Sequence, residues 1–348
     1  MKLASLIERF EAPFMAKYAD RLQPAQRRAL GAIKRCRTMD AGAMLYRCTD
    51  CSHEHHYPRS CGNRSCPQCQ NHESSAWLAR QQAKLLPLEY FMVTFTLPAQ
   101  LRPLARAEPK RMYSLLLSVA ADTLKSFGLS ANWGQGEIGR TGVLHTHSRR
   151  LDYHPHTHFI VPGGSMNRAR GQLRKTRGKY LFNEFALAEV FRARFLEAMA
   201  AEGLTAPAVP AKWVADCQHV GRGLPALKYL SRYLYRGVVS EHNILSEHAG
   251  EVCFRYTDSD TGQVAYRTLP GEDFLWLLLQ HVLPKGFRRI RDYGFLHGNA
   301  KVLLGRIQLM LHVLIQAAAP RPKVKPCCPS CSAPMHLLAV LAPAVPSG

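Results

Sequence analysis

The sequence contains few acidic residues for its size. Asp and Glu together number 25 among 348 residues, against 46 Lys and Arg, so the formal charge at pH 7 is +21. A surplus this large indicates a polyanionic partner such as nucleic acid. The alternative is a basic protein whose charge serves only its solubility.

The sequence also lacks any apolar run long enough to cross a bilayer. The apolar stretch 309–319 is interrupted by His312 and Gln316, and the first ten residues are amphipathic and charged, unlike a signal peptide. Basic residues are spread along the chain and do not cluster beside an apolar segment, which disfavours a membrane-surface protein. We therefore expect a cytoplasmic protein that has no membrane partner.

Cysteines, by contrast, are numerous, and the chain has eleven. In an intracellular protein they are metal ligands more often than disulfides. Two Cys-x2-Cys pairs, Cys48 with Cys51 and Cys66 with Cys69, are separated by fourteen residues. This spacing lets four thiolates converge on one tetrahedral Zn²⁺, and because no ligand position is left over, the predicted zinc is structural.

Further cysteines and histidines near these pairs leave the ligand set open to a second metal or to the replacement of one cysteine. These candidates are Cys36, His53, His55, His56, Cys61 and His72. The C-terminal tail adds Cys327, Cys328 and Cys331, whose single Cys-x2-Cys spacing is a weak signal for zinc.

A histidine-rich segment, Tyr153–Gly164, is predicted to form a strand that ends on a Gly-Gly turn. Because side chains alternate across a strand, His154, His156 and His158 share one face, and the opposite, apolar face can pack on a core. A row of imidazoles is typical of a metal site, whereas a lone histidine is more often a core residue. We predict that His156 and His158 bind a divalent cation.

A second strand is predicted at 142–147, and a polar turn joins it to the histidine strand. If the two strands form a hairpin in which His147 lies opposite His154, then His145 lies opposite His156 on the same face. His145 is therefore the predicted third ligand of the cation. Competing for that position are His147, His154, Asp152 and Gln218.

Residues 221–225 are predicted to open a helix that contains Lys228–Arg236. On a helical wheel, one stripe is apolar, and the opposite face carries Tyr229, Arg232, Tyr233 and Arg236. Tyr229 and Tyr233 lie one turn apart, with Cβ atoms about 5–6 Å from one another. This face indicates either a pair of tyrosine nucleophiles or an exposed surface used for stacking.

The remaining patterns predict an α+β fold. Helices expected at Pro109–Phe127 and Asn183–Glu202 pack on an antiparallel sheet that carries the histidines. We expect a helical N-terminus and zinc-binding ribbon at 1–80, a sheet domain at 85–300, and a C-terminal helix with a Pro- and Cys-containing tail at 301–348.

Three segments together resemble the two-tyrosine HUH transposases of the IS91 family. They are Cys48–Gln70, Val143–Gly164 and Val220–Leu245, and the resemblance extends over most of residues 20–300. His156-Thr157-His158 is similar to the histidine motif of that family, and Tyr229 with Tyr233 is similar to its pair of tyrosines. The cysteine cluster is similar to its N-terminal zinc-binding region.

The resemblance implies an HUH-type antiparallel sheet and a single-strand DNA endonuclease and strand transferase that acts at insertion-sequence ends by a rolling-circle-like route. It implies that Mg²⁺ or Mn²⁺ assists Tyr229 or Tyr233 in forming a 5′-phosphotyrosine link, with structural Zn²⁺ elsewhere. Arg232 and Arg236 would contact DNA. The alternatives are a plasmid replication initiator or relaxase with the same chemistry, and a non-catalytic zinc-ribbon DNA-binding protein.

Overall fold

The computed structural model describes residues 1–69, 80–130, 134–176, 178–225, 228, 238–313 and 326–343. Its helices are α1 (Leu3–Tyr18), α2 (Pro24–Lys34), α3 (Arg102–Ala107), α4 (Pro109–Leu129), α5 (Glu184–Ala201), α6 (Gly271–Leu279) and α7 (Lys301–Met310). Its strands are β1 (Ala43–Cys48), β2 (Glu54–Pro58), β3 (Glu89–Thr96), β4 (Glu137–Ile138), β5 (Arg140–His147), β6 (Tyr153–Pro162), β7 (Gly164–Asn167), β8 (Gln172–Lys175), β9 (Val214–Arg222), β10 (Ile244–His248), β11 (Glu251–Thr257), β12 (Val264–Pro270), β13 (Ile290–Tyr293) and β14 (Met335–Leu341). The predicted α+β class with antiparallel sheets is confirmed. Across these ranges, no helix combines the length and hydropathy that a bilayer span needs.

Contacts divide the chain into two compact units. The first, here called the cysteine unit, consists of Met1–Glu73, Gly237–Val282 and Ala318–Gly348. The second, the histidine unit, consists of Ser74–Arg236 and Leu283–Ala317. This division differs from the contiguous domains expected at 1–80, 85–300 and 301–348. Segments far apart in sequence belong to one unit because their strands pair in the folded chain. The hydrophobic pattern of the sequence does not specify which strands pair.

A five-stranded antiparallel sheet forms the centre of the histidine unit, in the order β13-β5-β6-β3-β9. Strands β3 and β6 are rich in β-branched and aromatic residues, which favour a pleated surface. On one face, Phe95 and Phe159 are fully buried and pack edge to face, with ring centroids 6.3 Å apart. His156 and His158 alternate with Phe159 along β6 and therefore belong to the opposite face.

Helices α4 and α5 cover the core face because their apolar residues recur at helical spacing. On α5 the fully buried residues are Leu187, Phe191, Phe195 and Met199, each four positions after the last. Asn183 caps this helix, since its side-chain oxygen accepts a hydrogen bond of 2.9 Å from the backbone N–H of Ala186. Both helices match the sequence prediction to within two residues at each end.

The hairpin of β5 and β6 sets the register of the histidines. His145 pairs with His156, as the sequence predicts, but His147 pairs with Tyr153, one residue away from its expected partner. Between these two pairs, β6 holds one residue more than β5, and the longer stretch contains Pro155, which has no N–H to donate to the ladder. The expected register is therefore confirmed for His145 and wrong for His147.

Two three-stranded antiparallel sheets and helices α1, α2 and α6 build the cysteine unit, and the sheet orders are β14-β1-β2 and β10-β11-β12. Helix α1 packs on α6, where the ring of Tyr18 stacks on Trp276 with centroids 4.8 Å apart. Strand β14 comes from the segment that the sequence assigned to a separate C-terminal domain, while α7, expected in that same domain, belongs to the histidine unit.

A comparison of two phenylalanines on α5 tests which face of this helix packs on the core. Phe191 is fully buried against Phe95 and Trp213, whereas Phe185 is 86% exposed. We expect Phe191→Ala to lower the free energy of unfolding by about 3–5 kcal/mol, because it leaves a cavity. The matched change Phe185→Ala alters this free energy by less than about 0.5 kcal/mol. Urea titration followed by tryptophan fluorescence measures both, and similar losses from the two variants would contradict the orientation of α5.

Candidate metal centres and catalytic site

Three histidines come together on the sheet of the histidine unit. His145 on β5 lies opposite His156 on β6, and His158 follows two residues later on the same face. The ligating nitrogens of all three lie within 4.8 Å of one another. The residues are 7%, 8% and 3% exposed, respectively, so bulk water has little access to the imidazoles. The structure thus brings together the three histidines named from the sequence, and their binding of a cation stays a prediction.

Burial keeps the three imidazoles neutral. It lowers the pKa of His156 to about 4, and it lowers the pKa of His145 and of His158 well below the usual 6.5. Repulsion from the neighbouring histidines lowers the pKa of His145 and His158 further. A neutral imidazole keeps the lone pair that a metal ion needs, so the group is in its ligating form at neutral pH.

Hydrogen bonds orient two of these rings. Nδ1 of His156 donates to the backbone carbonyl of His154 at 2.7 Å, which leaves Nε2 as the ligating atom. Nδ1 of His158 lies 2.9 Å from the hydroxyl oxygen of Thr94, and the pairing of β3 with β6 sets these two residues side by side. Such partners fix the tautomer and the ring orientation of a ligating histidine.

The other residues considered for the third ligand lie outside this group in the described part of the chain. A guanidinium nitrogen of Arg102 donates to Nδ1 of His154 at 2.8 Å. Asp152 lies in the turn between β5 and β6, and Gln218 on β9 is two strands away from β6. His147 stacks beside the group without joining it.

Basic side chains surround the histidine end of the sheet. The guanidinium of Arg106 on α3 lies 4.6 Å from the ring centroid of Tyr153. Arg149 and Arg150 are exposed in the turn that joins β5 to β6. The charge of Arg289 contributes to the lowered pKa of the buried histidine on β5. This concentration of positive charge suits a nucleic-acid backbone.

The predicted tyrosine helix cannot be placed against the histidines from the described residues. Tyr229, Arg232, Tyr233 and Arg236 all lie outside them. Strand β9 ends at Arg222, and the backbone is helical at 223–225. The approach of the two hydroxyls to the histidine group therefore stays a prediction.

The four cysteines predicted to share one zinc are divided between two groups within the cysteine unit. Cys66 and Cys69 lie with Cys36 and Cys61, whereas Cys48 and Cys51 lie with Cys328 and Cys331. In each group the sulfur atoms are within 4.8 Å of one another. This corrects the prediction of a single site. The spacing Cys-x2-Cys ensures that two cysteines are neighbours, but tertiary structure decides which pairs meet.

The group formed by Cys36, Cys61, Cys66 and Cys69 has the sulfur spacing of a zinc site. Sγ of Cys36 is 3.6 Å from Sγ of Cys66 and 3.6 Å from Sγ of Cys69, and Sγ of Cys61 is 3.7 Å from Sγ of Cys69. A tetrahedral ion with Zn–S bonds of about 2.3 Å has edges of about 3.8 Å. Sequence reasoning named Cys36 and Cys61 only as additional candidates, because neither belongs to a Cys-x2-Cys pair.

Two family models match this chain. One, described as "Transposase zinc-binding domain", matches residues 6–97, which contain all four cysteines of the first group. The other, described as "Putative transposase", matches residues 139–302, which contain the histidine group and the predicted tyrosine helix. The class of protein is therefore a transposase with a zinc-binding domain.

Two relatives match most of the chain. The "Putative transposase y4qJ" of Sinorhizobium fredii is 32% identical over 322 residues, which are 86% of this chain and 80% of the relative. The transposase for insertion sequence element IS801 of Pseudomonas savastanoi pv. phaseolicola is 27% identical over 318 residues, which are 83% of this chain and 74% of the relative. The chain belongs to the IS91 family of insertion-sequence transposases.

A comparison with solved structures finds the conjugative relaxase TrwC in a metal-free complex with oriT DNA. It is 12% identical, the match covers 65% of this chain and 73% of the relaxase, and the TM-score is 0.26. The strand pairings of the histidine unit, and not this match, define its fold.

If the histidine group binds a cation, His145 and His147, both on β5, should differ in their effect on Mn²⁺ affinity. We expect His145→Ala to weaken Mn²⁺ binding by more than about 100-fold, because it removes a ligand, and Thr94→Val to weaken it by about 10-fold, because it removes only an orienting partner. His147→Ala is the matched control and leaves the affinity nearly unchanged. Titration calorimetry on protein that carries zinc only at its cysteine groups measures all three. Equal losses for His145→Ala and His147→Ala would contradict the assignment of ligands.

Proposed function

We propose that this transposase cuts and rejoins single-stranded DNA at the ends of its insertion sequence through a covalent link to tyrosine. The buried, neutral group of His145, His156 and His158 is the observation that supports this most directly. Arg149 and Arg150 are exposed at the same end of the sheet, whereas the candidate structural zinc sites are built from cysteines of the cysteine unit. A cation held among histidines beside a basic surface suits chemistry on a phosphodiester.

The type of ligand atom determines which divalent cation this site binds more tightly. Mg²⁺ prefers oxygen ligands at short, octahedral distances, and three imidazoles are softer than that preference. We therefore expect Mn²⁺ to bind His145, His156 and His158 more tightly than Mg²⁺. A divalent cation, when bound, draws charge from the oxygens of the scissile phosphate and so favours nucleophilic attack on phosphorus.

The proposed nucleophile is Tyr229 or Tyr233. The phenolic oxygen forms a bond to phosphorus, and the bond from phosphorus to the 3′-oxygen breaks, which produces a 5′-phosphotyrosine and a free 3′-OH. The phenol releases its proton, and the departing 3′-oxygen takes one up. Because a phenol is poorly ionised at neutral pH, the cationic side chains of Arg232 and Arg236 would ease this loss or hold the phosphates. A second tyrosine allows a second strand to be joined while the first stays attached.

The length of chain after β9 is compatible with this role. Strand β9 ends at the Glu89 end of β3, whereas His158 lies beside Thr94, five residues or about 17 Å further along β3. A helix rises about 1.5 Å per residue, so ten residues from Gly223 to Tyr233 would span about 15 Å. A helix that returned along the sheet would bring a tyrosine to the level of the histidines.

Two other functions remain to be separated by experiment. A replication initiator or a relaxase would use the same chemistry, and membership of a transposase family favours rolling-circle-like transposition from element ends. A zinc-ribbon protein that only binds DNA would account for the net charge of +21 and for the cysteines. It would leave the histidine group without a role.

Labelled single-stranded DNA from the element ends, incubated with the protein and Mn²⁺, is expected to form a protein–DNA adduct that survives denaturing electrophoresis. The double variant Tyr229→Phe, Tyr233→Phe should form none, because both phenolic oxygens are absent. Tyr235→Phe is the matched control, because the helical wheel of the sequence places Tyr235 off the predicted tyrosine face, and it should form the adduct at the rate of the unchanged protein.

The same assay can refute the proposal. An adduct that persists in the double variant would mean that another residue is the nucleophile. Binding without cleavage, on either strand of either end of the element, would support the DNA-binding protein over the enzyme. Cleavage confined to duplex DNA would contradict the single-strand specificity.

A further inference from the structure

We propose that Cys48, Cys51, Cys328 and Cys331 form a second structural zinc centre, which the C-terminal segment completes. Their sulfur atoms lie within 4.8 Å of one another, although Cys51 and Cys328 are 277 residues apart in sequence. The matched zinc-binding domain ends at residue 97 and so contains only half of this group. The chain would therefore hold two zinc ions in the cysteine unit.

The sulfur spacing fits a metal centre and excludes disulfides. Sγ of Cys48 is 3.4 Å from Sγ of Cys331, and Sγ of Cys51 is 3.6 Å from Sγ of Cys328 and 3.5 Å from Sγ of Cys331. These separations are near the edge of about 3.8 Å expected around zinc. They are far from the S–S bond length of about 2.0 Å.

In both Cys-x2-Cys pairs, a backbone N–H donates a hydrogen bond to the sulfur of the first cysteine. The N–H of Asp50 donates to Sγ of Cys48 at 3.4 Å, and the N–H of Ser330 donates to Sγ of Cys328 at 3.4 Å. Each bond runs from the second residue after the first cysteine back to its sulfur. Such donors stabilise the negative charge that a zinc-bound thiolate carries.

The backbone that follows the second cysteine has the same conformation in both pairs. The N–H of Cys48 donates to the carbonyl of His53 at 2.9 Å, and the N–H of Cys328 donates to the carbonyl of Ala333 at 2.8 Å. The residue after the second cysteine is a serine in both, with φ of 56° at Ser52 and 63° at Ser332. That conformation is uncommon for a residue with a side chain. Two knuckles so alike, facing one another, are the arrangement of a zinc ribbon.

The sheet around this group is too small to be held by its own core. Strand β14 pairs with β1 so that Met335 lies opposite Cys48. The buried cluster there consists of Cys48, Cys328 and Met335, with Tyr46, Tyr57 and Ala333 packed around it. So few apolar residues cannot offset the entropy of ordering three strands, so a bound metal is the expected source of stability.

The ion would therefore join the segment that holds Cys48 and Cys51 to the segment that holds Cys328 and Cys331. Zinc bound by Cys48 and Cys51 alone has two open positions, which Cys328 and Cys331 fill. Loss of the ion would release β14 and leave β1 as an exposed edge of the ribbon. The C-terminal segment is thus part of the zinc ribbon and not an appendage to it.

Zinc content of the purified full chain tests this proposal. We expect the double variant Cys328→Ser, Cys331→Ser to hold one zinc ion per chain fewer than the unchanged protein. The matched control is Cys327→Ser, because Cys327 is exposed, adjacent in sequence and outside the group. It should hold as much zinc as the unchanged protein. Equal zinc contents in the unchanged protein and in the double variant would overturn the proposal.

A second measurement uses the unchanged protein and does not depend on how a variant folds. Cobalt titrated into the metal-free chain should develop thiolate-to-cobalt absorption with the final intensity of two four-thiolate sites; the intensity of one such site would overturn the proposal. Hydrogen exchange of the double variant should show faster exchange in β14 and β1, with β3 and β6 of the histidine unit unchanged. Protection of β14 equal to that in the unchanged protein would also overturn it.

Discussion

Antiparallel pairing of β5 with β6 places His145 beside His156, and the proposed chemistry depends on this register. Side chains alternate with a period of two, so a shift of one residue would turn the imidazole of His145 to the apolar face. The extra residue of β6, near Pro155, lies beyond the pair and displaces only the partner of His147. The three imidazoles therefore keep a common face despite the irregularity at the end of the hairpin.

One strand serves both stability and chemistry in the histidine unit. Phe159 on β6 is fully buried against the helices, and the adjacent His158 belongs to the face of the proposed cation. Packing on the core side therefore limits movement of the rings on the other side. The neighbouring strand adds Thr94, whose hydroxyl meets Nδ1 of His158, so the sheet supplies both the ligands and the partner that orients one of them.

The stability of the β14-β1-β2 sheet in the cysteine unit has a different origin. Its β14-β1-β2 sheet buries little apolar surface around Met335, and hydrophobic burial cannot hold so small a structure. Zinc held by the proposed group of Cys48, Cys51, Cys328 and Cys331 would compensate, because metal coordination contributes folding free energy directly. The knuckles at Cys48 and Cys328 have nearly equivalent backbone geometry although most of the chain lies between them. The proposed metal site would thus connect segments that the order of the sequence separates.

The local properties of this protein could be read from its residues without coordinates. Helical spacing on α5, strand alternation on β6 and the candidacy of His145 all follow from periodicities of a few residues, and each agrees with the structure. Only the tertiary structure decided that Cys48 and Cys51 meet Cys328 and Cys331 and that β14 joins β1. The reason is that a Cys-x2-Cys spacing or an apolar strand specifies what kind of partner it needs, whereas folding of the whole chain selects which partner comes within reach.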